Sequence, residues 1–553
     1  MTLWHKRAAV LSVFLSLAAL SQTQQPSSPD KPPKTLLKSA TRMVVVDVVA
    51  MDGKGASVPD LKSDDFTLLE DGRPQQISVF SFQHPVELPA GQAAVHLPAN
   101  VFTNIPSIKP TSLNVILLDA LNGEFTSRAY AREQLIKFLE EGHSPEPIAV
   151  YALENHLKLL HDFTTDDKEA VSAIRSYKPQ VLNHLDSLDI MASPFTQKGQ
   201  VQTGPRAIET TLVALNSLAQ ALAGYPGRKN LIWLSEAFPM ELFPDLFPSP
   251  RSLAVMRAAV ASDSPGPFDT IHGPAQAGMV QNSQSPNSLW ANSDYAAQVR
   301  KVANALMHAQ VAVYPIDAAG VGKLSRVSNL ATMRDIAERT GGKTFAGQND
   351  LQVSIRGSID DGSTYYTLAY YPDNKNWSGQ LRAIDIKTTR PGISLRYRRG
   401  YYALDPSLSD KEGDSRKLVE EFSHSLALDV PSATAVLFQA VLTSPADNNN
   451  KVVVNFAIDP HTLSFTEDGG VHQASLSCAA VVFTEKGSLL KETMSTMNSP
   501  IAAADFQKLM ETTFPCRTTV ELKPGKYWMR LGVMDRSSRL IGTTTASVTV
   551  PVP

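Results

Sequence analysis

Leu113-Asn114-Val115-Ile116-Leu117-Leu118-Asp119-Ala120-Leu121-Asn122 is the stretch whose reading decides the fold. A short apolar run ending in a carboxylate is the pattern of a buried parallel strand that delivers one charged group to the carboxyl edge of a sheet. Ligands of open α/β sheets bind at that edge. Just downstream, Ala131, Leu135, Ile136 and Leu139 fall at helical spacing, Thr126 or Ser127 stands where an N-cap belongs, and Gly142 supplies a stop.

The same alternation of strand and helix continues. Ile148 to Leu153 reads as the next buried strand, with Leu157 to Leu160 as its hairpin partner. Ile208, Leu212, Leu215, Leu218 and Leu222 form one stripe of a helix opening at Pro205, and Gly224 closes it. Leu231 to Leu234 is a third buried strand, ending in Ser235-Glu236, and Val311 to Ile316 a fourth; Asn329 to Thr340 reads as the last long helix. Residues 238–292, rich in Pro, Ser, Gly, Asn and Gln, are either a lid over the strand ends or a surface insertion. Residues 110–350 are thus expected to form a doubly wound, mostly parallel α/β domain.

On either side the hydrophobic period drops to two. Residues 41–85 carry Val44, Val46 and Val48 in alternation, then strands near Phe66 to Leu69 and Ile77 to Phe80; residues 362–404 carry three more strands. Neither set has enough strands to be stable alone, so the two are expected to pack into one sandwich with the α/β domain inserted between them. Residues 84–109 are Pro-rich and read as a connector, and 405–420 as a charged linker. In 421–553, short strands at regular spacing predict a β-sandwich of immunoglobulin-like type. Cys478 and Cys516, both in that last region, form a disulfide in an oxidising compartment or remain two buried thiols.

The amino terminus speaks for such a compartment. Lys6 and Arg7 precede an apolar run from Ala8 to Leu20, and Ala19 and Ser21 occupy the small positions of a cleavage site before Gln22, so residues 1–21 read as a secretory signal and 22–40 as a disordered leader. The apolar run is shorter than the roughly 20 residues a membrane span requires, so no stable span is expected after cleavage. With 51 basic and 54 acidic side chains, the chain has no electrostatic footprint for nucleic acid.

Strand, Asp119, loop and helix in this order resemble the opening of a von Willebrand factor type A domain. The wording Leu117-Leu118-Asp119-Ala120-Leu121-Asn122 is similar to that of a family of secreted bacterial proteins related to it. Asp64-Asp65-Phe66, Glu70-Asp71-Gly72 and Gly400-Tyr401-Tyr402-Ala403 match the β segments of the same family, so the resemblance covers about Met43 to Leu404. It implies protein binding at the top of the sheet around Asp119, Asn122, Gly123, Glu124, Ser235 and Glu236. In type A domains an Asp-x-Ser-x-Ser motif at this place holds a divalent cation, the metal-ion-dependent adhesion site. Here Asp119 matches while Leu121 and Gly123 stand where the serines belong, so the site is degenerate. A magnesium or manganese shell would have to draw on Asp119, Asn122, Thr203 (or Thr210), Ser235 and Glu236. The alternative is that Asp119 accepts hydrogen bonds from loop amides without any metal.

Catalytic patterns fail. There is no His-Glu-x-x-His and no Gly-x-Ser-x-Gly, and Gly342-Lys343-Thr344 follows a helix instead of the strand a phosphate loop needs. The expectation is an exported binding protein of adhesion type with a protein partner and no enzymatic activity. Its alternatives are a metal-independent envelope scaffold acting through the β modules and, more remotely, a hydrolase at the sheet edge. Periplasm, cell surface and medium all remain open, as does the oligomeric state.

Overall fold

The structure, a computed structural model, describes residues 43–85, 97–106, 112–142, 146–179, 205–236, 293–319, 333–347, 350–403, 415–443 and 450–551, except 335 and 469. The signal and leader, the 238–292 loop and Thr203 lie outside the described residues.

The α/β domain is built on a sheet whose strands lie in the order Val311–Asp317, Arg228–Ser235, Ser112–Asp119, Ile148–Leu153, Leu157–Thr164. The first four are parallel and the last is antiparallel to its neighbour. Period two sends alternate residues of each strand to opposite faces, and both faces are covered. Ile116, Ile232 and Tyr314 meet the helices Phe125–Glu140, Asp167–Ser176 and Leu351–Ser363, while Val115, Trp233 and Val313 meet Pro205–Leu222 and Ser293–His308. The chain leaves the Ser112–Asp119 strand toward one neighbour and returns on the other side of it, so the topological switch point falls at Asp119.

Leu351–Ser363 corrects the expected boundary: the domain runs past residue 350 and closes with a helix. Asp350 caps it, its Oδ1 accepting from Gln352 N at 2.9 Å and Val353 N at 3.3 Å. The glycines that dilute its apolar stripe have a packing reason, since a Cβ at Gly362 would stand 2.2 Å from Asn230 Oδ1. At the other end of the domain, the first helix starts at Phe125 with Glu124 as its N-cap, so neither Thr126 nor Ser127 caps it.

Strands from both flanks of the α/β domain make the first sandwich. One sheet runs Ser394–Arg396, Val44–Met51, Tyr365–Tyr370, Ile77–Gln83; the other runs Gly400–Tyr402, Leu381–Thr388, Phe66–Glu70, Arg73–Gln75. Val46, Leu68, Leu368, Ile386 and their neighbours form its core. This sandwich sits against the amino edge of the α/β sheet: Arg396 pairs with Asp361, and Arg399 N donates to Arg339 O at 3.2 Å.

The second sandwich packs one sheet, with Lys451–Ile458 at its middle, on another built around Val471–Thr484 and Gly525–Asp535. Two expectations need correction here. The connector supplies a strand, Val101–Thr103, which pairs with Phe438–Thr443. Asn104 locks it: Nδ2 donates to Ala433 O at 2.8 Å and Val436 O at 2.7 Å, and Oδ1 accepts from Phe438 N at 2.9 Å. Residues 415–420 are no linker, since Ser415–Ser425 is a helix that buries Leu418 and Phe422 on the outer face of the second sheet, against Val481 and Phe483. The long strand Leu489–Ala502 and the helix Ala503–Met510 carry no clear sequence signal, because a strand on the sheet edge keeps polar side chains on both faces and loses its alternation.

Cys478 and Cys516 are disulfide-bonded across the core of this sandwich, linking its two sheets over 38 residues. Replacing both by alanine is expected to lower stability by about 3–4 kcal/mol, the chain-entropy value for a loop of this length. Urea unfolding of oxidised and reduced protein reads it; coincident curves would contradict it.

The second sandwich also holds the α/β domain. Thr434 closes the Pro205–Leu222 helix from outside: its N donates to Gln220 O at 2.9 Å, its Oγ1 donates to Ala221 O at 2.7 Å and accepts from Gly224 N at 2.9 Å. Residue 224 is glycine because a Cβ there would lie 2.3 Å from Thr434 O. Further along, His156 Nε2 lies 2.9 Å from Asp429 Oδ2. Asp429 raises the His156 pKa, and His156 lowers that of Asp429. The histidine share of this stability is full below its unfolded value of about 6.5 and is lost as pH rises through the higher folded value. The aspartate share is present above its unfolded value of about 3.9 and is lost as pH falls through the lower folded value. His156→Ala is therefore expected to cost roughly 0.5 kcal/mol at about pH 5.5 and nothing near pH 9, the magnitude being discounted for solvent exposure. Thermal melts at the two values check it, and an equal loss at both would contradict it.

Candidate functional site

Asp119 ends the central strand, is 5% exposed, and is saturated with protein donors. Its Oδ1 accepts from the backbone N of Leu121 at 3.0 Å and of Asn122 at 2.9 Å. Its Oδ2 accepts from Asn122 Nδ2 at 3.1 Å, Trp233 Nε1 at 3.1 Å and Ser235 Oγ at 2.8 Å. Trp233 and Ser235 are two apart on the neighbouring strand, so their side chains share the face that looks at this carboxylate. Burial pushes the Asp119 pKa above its ordinary value, and the bonds from Asn122, Ser235 and Leu121 pull it back.

Asn122 is fully buried and spends its amide protons on Asp119 and on Thr211 Oγ1, 3.1 Å away. Its Oδ1 is buried and accepts no hydrogen bond. Thr211 in turn donates to Ala207 O at 2.7 Å within its helix. It is therefore Thr211, not Thr210, that reaches the loop after Asp119. Neither Thr211 nor Trp233 stands out in the sequence, although both occupy periodic positions of elements that point there.

Glu236 plays a different part. Its Oε2 accepts from Glu124 N at 2.7 Å, which places a carboxylate from a second loop at the amino end of the Phe125–Glu140 helix. A Cβ at residue 123 would come within 3.1 Å of Glu236 Cβ, so Gly123 makes room for this contact where the family pattern carries a serine. The six residues of the expected binding face thus divide: Asp119, Asn122 and Ser235 are buried, whereas Gly123, Glu124 and Glu236 line the surface beside Phe125, which is 69% exposed.

A divalent ion does not fit this donor set. Magnesium-type shells need several oxygens presenting lone pairs to one point. The Asp119 oxygens already receive five donors, the Ser235 hydroxyl gives its proton to Asp119, and Glu236 is held on Glu124 N. Asn122 Oδ1 is buried and accepts no hydrogen bond, and among the described residues that one carbonyl is not a shell.

No family model and no curated protein matches the chain. Solved structures do resemble it, at a distance. The von Willebrand factor domain of the type V pili tip protein Mfa5 from Porphyromonas gingivalis is 13% identical, covering 46% of this chain and 97% of that one, at a TM-score of 0.25. A von Willebrand factor type A protein from Catenulispora acidiphila is 9% identical over 89% of this chain and 74% of that one, at 0.23. An aerotolerance-related membrane protein from Bacteroides fragilis is 10% identical over 45% and 98%, at 0.24. Superpositions this loose carry no weight, and the assignment rests on the strand order, the single antiparallel strand, the helices on both faces and the carboxylate at the switch point. On that architecture the α/β domain has the fold of a von Willebrand factor type A domain, and two β-sandwiches frame it.

Proposed function

We propose that this is an exported protein-binding protein whose type A domain offers the carboxyl edge of its sheet to a protein partner without a bridging metal ion. The observation that carries the reading is the division of the sheet's two edges. The first sandwich packs on the amino edge, through Arg396 with Asp361 and through the buried Arg228, whose backbone N donates to Tyr365 Oη at 3.1 Å. The carboxyl edge keeps Phe125 in water, and an exposed aromatic ring on a rigid helix start is the type of side chain that anchors protein interfaces. Asp119 serves this edge by fixing the loop that presents Phe125. No helix among the described residues is long and apolar enough to cross a membrane.

A photo-crosslinking residue in place of Phe125, with chelator present, tests the reading in cells that export the protein. One discrete protein adduct at 125, absent when the crosslinker replaces Val79 on the first sandwich, is expected. A second reading has its own observation: Leu489, Leu490 and Trp528 are 63%, 52% and 43% exposed on the second sandwich. Adducts formed from position 489 and none from 125 would favour a scaffold that works through its β modules.

A further inference from the structure

Where the first sandwich meets the amino edge of the α/β sheet there is a cavity of about 20 Å³, lined in part by Asp47, Arg228, Gln310, Thr340 and Arg398. Two guanidinium groups face it, and the acceptors they have found are neutral. Arg228, 2% exposed, gives Nη2 to Tyr314 Oη at 3.1 Å and to Gly341 O at 2.6 Å, and Nε to Asn230 Oδ1 at 3.2 Å. Arg398 gives Nη2 to Val45 O at 2.7 Å and Nη1 to Met307 O at 3.2 Å. Its Nε–H is buried and has no acceptor.

A third cation, Lys229, is 1% exposed, and burial lowers its pKa to about 8. Arg228, Lys229 and Arg398 all act on one carboxylate, Asp47, whose oxygens take their hydrogen bonds from Gln310 Nε2 at 3.1 Å and Thr367 Oγ1 at 3.0 Å. A second acid, Asp361, also acts on Arg228 and accepts from Tyr314 Oη at 3.0 Å, but it is ion-paired with a fourth cation, Arg396. Positive charge is therefore in excess where desolvation makes an uncompensated charge costly. A water molecule would fill the space and leave that excess standing. Sulfate and phosphate are too large for it, whereas a single-atom anion fits.

We propose that this cavity binds a monatomic anion of the halide class, held by the Arg398 Nε–H and facing Arg228, which fastens the first sandwich to the α/β domain. The half-buried Val45, Gln310 and Arg398 form its entrance, so the ion exchanges with solvent without unfolding.

Two measurements on the full-length protein test the site. Crystals grown in sodium bromide should show an anomalous peak in the cavity beside Arg398 Nε. Thermal melting at fixed ionic strength should show a saturable rise of about 2–4 °C when gluconate is exchanged for chloride or bromide. Arg398→Met should abolish that rise, and Arg399→Gln, an exposed neighbour outside the cavity, should keep it. A cavity without an anomalous peak, or equal midpoints in halide and gluconate, overturns the proposal. The bromide map needs no substitution, so it decides the matter even if Arg398→Met does not fold.

Discussion

Asp119→Ala is expected to lower the stability of the protein by about 3–5 kcal/mol, in the range where a buried hydrogen-bonded charge has been removed from its partners. The variant would strand five donors at once: two loop amides, the Asn122 amide, the Trp233 indole and the Ser235 hydroxyl. Of these, the Trp233 indole cannot turn to water, because the residue is 1% exposed in a packed core. Asp119→Asn keeps the shape but points an amide NH2 at some of those donors, so about 2–3 kcal/mol is expected. Trp233→Phe removes one donor and should cost about 1 kcal/mol. Urea unfolding of the four proteins gives the series. A loss under about 1 kcal/mol for Asp119→Ala would mean the carboxylate is not the latch that its five donors make it.

Glu70→Ala is the second large effect, again about 3–5 kcal/mol. Glu70 is 3% exposed and accepts from Tyr370 Oη at 2.7 Å, Tyr401 Oη at 2.8 Å and Arg382 Nη1 at 3.2 Å. It lies on one sheet of the first sandwich and Tyr370 on the other, so this carboxylate ties the two sheets through their core. Without it, Arg382, itself 2% exposed, keeps the carbonyls of Asn374 and Asn376, the Tyr401 hydroxyl and the faces of Trp377 and Tyr401, 4.9 Å and 5.8 Å from its guanidinium carbon, and no carboxylate among the described residues. An unpaired buried cation costs more than the absence of both partners. Glu70→Ala with Arg382→Met should therefore recover part of the loss of Glu70→Ala alone. A double variant that is no more stable than the single one would place the cost elsewhere.

Much of the architecture is legible in the amino-acid sequence, for identifiable reasons. Val115 to Leu118, Ile148 to Leu153 and Leu231 to Leu234 are unbroken apolar runs, and strands covered on both faces are where such runs belong. Val101–Thr103 is hidden because three residues carry no period, and the bond that fixes them runs from Asn104 to Ala433 and Val436, more than 300 residues away. Gly357 and Gly362 mask the Leu351–Ser363 helix: each weakens the local propensity, and each answers a tertiary demand from Phe345 or Asn230. At the site, Asp119, Asn122, Ser235 and Glu236 are grouped by the resemblance to type A domains, and the fold brings them to one edge of the sheet. Their direction is not legible in the same way. Whether a hydroxyl turns outward to an ion or inward to a carboxylate depends on Trp233, whose place beside Asp119 follows from strand register.

The most direct test of a metal-free carboxyl edge is a calorimetric titration of the chelator-stripped protein with magnesium and manganese. If protein donors satisfy Asp119, neither ion gives a saturable heat at millimolar concentration, and the melting temperature is unchanged by chelator. Saturable binding at one site, with a matching rise in melting temperature, would contradict it: Trp233 and Asn122 would then have to give way to the metal, and the edge would work as a rebuilt adhesion site.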